Sequence, residues 1–190
     1  MTQEIPSPLI EKSVRGLHRL VSQVRVNSRR KRSMQFRSHF NLKPGVTILD
    51  LGGWDGSHIN HVIHGTGVRP EDVCIADISA QAVNQAHTDF GFRPMVLQES
   101  GPLPFENAQF DIVFCSSVLE HVTLSKTDCW EERSGSRFAK LARLAQGNFA
   151  AEIQRVGRGY FVQVPYRWFI FETHTWLPFF TTCRANCRYR

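Results

Sequence analysis

The stretch Val46-Thr47-Ile48-Leu49-Asp50-Leu51-Gly52-Gly53-Trp54-Asp55-Gly56 decides how the rest of the chain is read. Six residues rich in aliphatic and β-branched side chains run directly into a cluster of glycines. After Ser57, the apolar residues Ile59, Val62 and Ile63 recur at helical spacing. This order predicts a buried parallel strand, a tight turn and then a helix. Glycine is needed in such a turn because the chain reverses sharply and a ligand must approach bare backbone. The unpaired N–H groups at the helix start would face that ligand.

Working outward, Asn41–Gly45 is the turn that feeds the first strand. Val73–Asp77 reads as a second short strand ending in an acid, preceded by a turn at residues 69–72. A helix is expected from Ser79 and Ala80 to about Asp89. Pro94–Gln98 reads as a third strand, followed by Glu99, Ser100 and Leu103-Pro104-Phe105. Phe110–Ser117 is the fourth. Phe138, Leu141, Leu144 and Ala145 recur at helical spacing and predict a helix from about Arg137 to Arg155, broken near Gly147. Gly157-Arg158-Gly159 then turns into a fifth strand, Tyr160–Val164, stopped by Pro165.

Two of these segments carry a resemblance. Asp50-Leu51-Gly52-Gly53-Trp54-Asp55-Gly56 resembles the first motif, acidic-x-Gly-x-Gly-x-Gly, of the class I, Rossmann-like methyltransferases that use S-adenosylmethionine. Asp50, Gly52 and Gly56 match it, and Trp54 stands where the middle glycine belongs. Phe110-Asp111-Ile112-Val113-Phe114-Cys115-Ser116-Ser117-Val118-Leu119-Glu120-His121-Val122 resembles the segment around the fourth strand of the same enzymes. A NAD-type loop needs Gly-x-Gly-x-x-Gly, of which Gly53 and Gly56 supply only the second half. An acid at the strand end also suits a ligand with a positive ammonium better than a pyrophosphate.

The resemblance implies a doubly wound α/β domain, its mostly parallel sheet ordered 3-2-1-4-5 with helices on both faces. It further implies S-adenosyl-L-methionine as cofactor and a small-molecule or glycan/lipid-precursor methyl acceptor. Asp50, Gly52, Gly53, Trp54 and Gly56 would surround the cofactor, with Ile78, Ser100 and Ser116 beside them. Asp77 would take the ribose, since an acceptor-only carboxylate suits a diol; capping the next helix is its other possible role. Glu99 would meet the adenine. Such domains usually carry two more strands, for which only Trp176–Arg190 remains, so the sheet is expected to lack them. Strand five would then be an open edge through which two copies could pair.

Methyl transfer needs proximity and orientation more than a nucleophilic side chain. Where the acceptor must lose a proton, His121 is the candidate base, its alternative being to orient the following loop. Glu172 and His174 are weaker candidates for the acceptor side. The indole of Trp54 could line the pocket, attract a sulfonium by cation–π contact, or block the site. His58, His61 and His64 resemble a metal ladder but fan across helix faces, so no metal is expected. Cys183 and Cys187 lack a partner pair for zinc. Ser116 and Ser117 sit in no nucleophile-elbow pattern, which argues against a hydrolase.

Of 190 residues, 42% are hydrophobic and 21% charged, as in an ordinary globular domain. No apolar run approaches the ~20 residues of a membrane span. Five cysteines without a framework fit a reducing cytoplasm. The net charge of +6 gathers in Lys12–Arg37, a stretch without acids. Val14, Leu17, Leu20, Val21 and Val24 recur there at helical spacing, which predicts a helix from about Ser13 with Arg29–Arg32 near its end or in a connector. Met34, Phe36 and Phe40 would belong to a second short helix. Residues 1–40 thus form a basic N-terminal arm, and 41–190 the Rossmann-like domain. The alternative reading is a methyltransferase fold without turnover, whose basic arm binds nucleic acid or an acidic partner. The lack of interleaved aromatics favours a solvated face over a nucleic-acid site.

Overall fold

The computed structural model describes residues 27, 29–122 and 135–164. A helix at 29–39 (α1) leads to β1 (Ile48–Leu51), α2 (Ser57–Ile63), β2 (Val73–Asp77), α3 (Ala80–Phe90) and β3 (Arg93–Val96). Then come β4 (Phe110–Ser116), α4 (Gly135–Val156) and β5 (Gly157–Gln163). The five strands form one parallel sheet in the order β3-β2-β1-β4-β5. This is the order expected from the resemblance.

Two apolar layers hold the sheet. One joins Ile48, Ile75 and Phe114 of the strands to Phe36 of α1, to Ile59 and Val62 of α2, and to Val83 and Ala86 of α3. The other packs Leu49, Cys74, Val113 and Cys115 against Ile153 and Val156 of α4 and the Leu103–Phe105 segment. The central strands β1 and β2 are buried along their whole length, which is why they read as continuous apolar runs rather than alternating ones. Cys74 and Cys115 are free buried thiols, raised to about 11 and about 12 chiefly by burial.

Several boundaries differ from the sequence reading, each for a physical reason. Arg29–Arg32 lie within helix α1, and residue 27 before them is helical too. Phe36 is fully buried on that helix, whereas Met34 faces outward at 61% exposure. The helix expected from Ser13 falls outside the described residues. β3 begins earlier and stops at Val96, because its register ends at Val96 opposite Asp77, where β2 itself ends. Pro94 is tolerated in it because β3 is an edge strand.

Helix α4 runs unbroken through Gly147, and its inward face is Ala142, Phe149, Ile153 and Val156; Leu144 is exposed. The Gly157-Arg158-Gly159 turn is instead strand, paired from Phe110 opposite Gly157. Gly157 is needed there: a Cβ would stand 2.6 Å from Val113 Cγ2 and 2.9 Å from the Gly159 carbonyl oxygen. Among the described residues, the outer side of β5 carries no further strand. No described helix is long and apolar enough to cross a membrane.

Candidate functional site

In a parallel sheet of this order, connections leave β1 toward one side and arrive at β4 on the other, opening a crevice at the carboxyl ends of these strands. The glycine turn lies there. Gly52, Trp54 and Gly56 all adopt left-handed backbone, with φ of 73°, 53° and 72°. The Gly52 N–H donates to the Ala76 carbonyl at 2.7 Å, and the Gly56 N–H to the Gly53 carbonyl at 3.0 Å. Trp54 therefore keeps the backbone conformation that a glycine would supply, at a cost of roughly 1–2 kcal/mol. Its indole is 62% exposed.

Asp50, the third residue of β1, is 2% exposed, and its Oδ2 has no hydrogen-bond partner. A side chain at Gly53 would overlap that carboxylate, so bare backbone passes directly over the acid. Burial, followed by the charges of Asp77 and Asp55, pushes the Asp50 carboxyl up to about 8. Asp77, at the end of β2, is also buried. Its Oδ2 accepts the Trp54 N–H at 3.1 Å, and its Oδ1 accepts the Ser79 N–H at 3.0 Å. The capping role left open for Asp77 falls to Ser79, whose Oγ accepts the Ala82 N–H and whose own N–H Asp77 holds.

The remaining candidates spread along the same edge. Ile78 follows Asp77 at 61% exposure. Glu99 and Ser100 lie in an exposed bend past the end of β3. Ser116 closes β4, half-buried, and its Oγ donates to Gln163 Oε1 of β5 at 3.4 Å. Strand β4 ends because Ser117 turns left-handed, with φ of 61°. His121 is exposed on the single 3-10 turn Leu119–His121, its N–H donating to the Val118 carbonyl at 2.8 Å. The structure thus gathers Asp50, Gly52, Gly53, Trp54, Gly56 and Asp77 around one loop. Glu99, Ser100, Ser116 and His121 stand on separate strand ends. Glu172 and His174 lie outside the described residues.

Two groups escaped the sequence reading. Both carboxylate oxygens of Glu120 are buried without a partner. His58 is not a surface residue: its ring meets Phe114 edge-on at 5.3 Å, and its Nε2 is buried and unpartnered. Burial, then the neighbouring Arg32, Arg29 and His61, lowers it to about 4. No sequence signal separates it from the exposed His61 and His64, because its neighbour comes from β4. Among the described residues, no group of His, Cys, Asp or Glu is arranged to hold a metal.

Fold and loop together define a Rossmann-like α/β protein whose strand order reverses between β1 and β4, beside the glycine loop. Residues 49–134 match the family model described as a methyltransferase domain. Among solved structures, it is similar to a SAM-dependent methyltransferase from Aquifex aeolicus, at 20% identity over 66% of this chain and 57% of that one, with a TM-score of 0.41. The S-adenosylmethionine-dependent methyltransferase from Mesorhizobium loti gives 20% identity, 56% and 45% coverage and a TM-score of 0.37. YcgJ from Bacillus subtilis gives 19%, 48% and 40%, and 0.40. The chain spans between a third and just under three fifths of the length of such structures. No curated protein matches it.

Proposed function

We propose that the chain binds S-adenosyl-L-methionine at the carboxyl edge of β1, β2 and β4 and transfers its methyl group to a small-molecule or glycan/lipid-precursor acceptor. The observation that carries this reading is Asp50: a buried carboxylate with an unpartnered oxygen, roofed by a glycine that leaves the backbone bare. A buried acid without a partner is costly, and a cationic ligand group would offset that cost. The cofactor supplies a methyl group activated by a sulfonium.

The residues present fit such a ligand. Asp50 would favour its ammonium. Asp77 has lone pairs left after accepting two backbone N–H groups, enough to take ribose hydroxyls while it braces the loop. Glu99 and Ser100 would meet the adenine, with Gly52, Gly53, Trp54, Gly56, Ile78 and Ser116 lining the remainder. His121 would accept the acceptor's proton where one must leave. Among the described residues no strand covers the outer side of β5, where Tyr160, Val162 and Val164 are exposed, and a second copy could pair there.

Calorimetry with S-adenosylhomocysteine tests the reading. Binding in the micromolar range is expected, with Asp77→Asn weaker by about tenfold or more, the worth of a hydrogen bond to a charged group. His121→Ala should leave this affinity unchanged. No binding at millimolar ligand, or an Asp77→Asn variant equal to the parent, overturns it.

A further inference from the structure

Beside α2, on its face of the sheet, stand two arginines and a buried imidazole that the cofactor reading does not use. Helix α1 runs alongside α2 and is tied to it by Arg37. Its Nε donates to the Val62 carbonyl at 2.8 Å, and its Nη2 to the carbonyls of His61 and His64 at 3.1 and 2.7 Å. Those are the last carbonyls of α2, so the earlier turns of α1 lie toward the start of α2, where the loop delivers His58.

Arg29 and Arg32 lie one to two turns before Arg37 on α1, which sets them beside the early part of α2 that carries His58, and their charges depress its imidazole. The Nε of Arg32 and the Nε2 of His58 are both buried without a hydrogen-bond partner. Arg32 itself is depressed by burial and by Arg29. No acid pairs with Arg29, Arg32 or His58 among the described residues. Asp55, the nearest acid in sequence, accepts the Ser57 N–H within the turn. Two guanidinium charges beside buried, unpartnered nitrogens are unfavourable unless an anion joins them.

We propose that Arg29, Arg32 and His58 form a subsite for the oxyanion, phosphate or carboxylate, of an anionic methyl acceptor. The assignment to an acceptor rests on the methyltransferase reading above. Charge argues for it. S-adenosylmethionine carries a sulfonium, an ammonium and one carboxylate, so it is cationic overall and suits the Asp50–Asp77 side of the loop. The Arg29–Arg32–His58 side repels a net cation and attracts an anion. Guanidinium groups match the geometry of phosphate and carboxylate oxygens, and an imidazole on the same anion gains basicity when it binds. The His58 ring, seated on Phe114 two residues before the end of β4, holds this subsite against the crevice where an acceptor must lie.

The test is titration of the full chain with inorganic phosphate at constant ionic strength, against a chloride control, followed by the histidine ring signals and assigned with His58→Gln. Phosphate should shift the His58 ring with a midpoint on the order of 1–10 mM and raise its titration midpoint. Arg29→Gln, at an exposed position that leaves the core intact, and Arg32→Gln should each weaken phosphate by about fivefold or more. Lys31→Gln, on the same helix, should not. Arginine variants that bind phosphate like the parent overturn the proposal, as does saturating S-adenosylhomocysteine that displaces phosphate, since the cluster would then hold the cofactor's own carboxylate. Simultaneous binding of both supports it. A chain that binds phosphate but no S-adenosylhomocysteine keeps the oxyanion site and overturns its assignment to a methyl acceptor.

Discussion

Asp50 concentrates the tension of this fold in a single side chain. Its carboxyl is raised to about 8, first by burial and then by Asp77 and Asp55. An acid whose folded value lies above its unfolded one contributes stability below about 3.8, the unfolded value, and loses it as pH climbs toward 8. Asp50→Asn removes that penalty. Urea unfolding at pH 5 and pH 8 should therefore find the variant gaining on the parent as pH rises, by more than about 1 kcal/mol at pH 8. A constant difference between the two pH values would show that Asp50 is ionised in the folded chain throughout. The acid was legible because it ends an apolar run before a glycine cluster. His58 and Glu120 were not, since their burial depends on chain segments far away in sequence. Trp54 was legible as a departure but not in its outcome: whether an indole fills or leaves a crevice is decided by a backbone angle that residue identity does not disclose.

At the scale of elements, all five strands were visible in the sequence, and their ends were not. The end of β3 is set by the end of β2, and the start of β5 by how far β4 offers a partner. Single-strand patterns carry neither fact. Gly157 shows the consequence. Glycine before an aromatic-rich run reads as a turn, but here it is the point where α4 passes into the sheet with no loop between them. Gly157→Ala would force a methyl against Val113 and the Gly159 carbonyl, neither of which is the free end of a flexible chain. A loss of about 1–3 kcal/mol in chemical denaturation is expected, the range for overpacking. Val113→Ala should recover part of it, since its Cγ2 is the nearest obstacle. The continuity of α4 through Gly147 has a simpler basis: a glycine on an exposed helical face costs about 1 kcal/mol, which the buried Ala142, Ile153 and Val156 and the partly buried Phe149 outweigh.

Across the whole molecule, the described basic residues of α1 include Arg29, Arg30, Lys31, Arg32 and Arg37, with no acid among them. The basic character of the N-terminal stretch was plain from composition. Its place in the fold was not, because helical spacing says that a face is apolar without saying what it covers. The fold answers this through Phe36, which meets Phe114 at 5.1 Å and Phe161 at 5.4 Å, both edge-on, and Phe40 at 5.0 Å. Phe114 and Phe161 in turn stack across β4 and β5 at 5.7 Å.

That aromatic stack sets where the protein can be shortened. Phe36 belongs to the same apolar layer as the strands themselves. An expression clone beginning at residue 41 would strip away both this ring and the Arg37 clasp on α2. It should be recovered from cells chiefly as insoluble material, whereas one beginning at residue 27 should stay in the supernatant. A proteolytic nick between residues 29 and 39 should likewise be seen only after the sheet has opened.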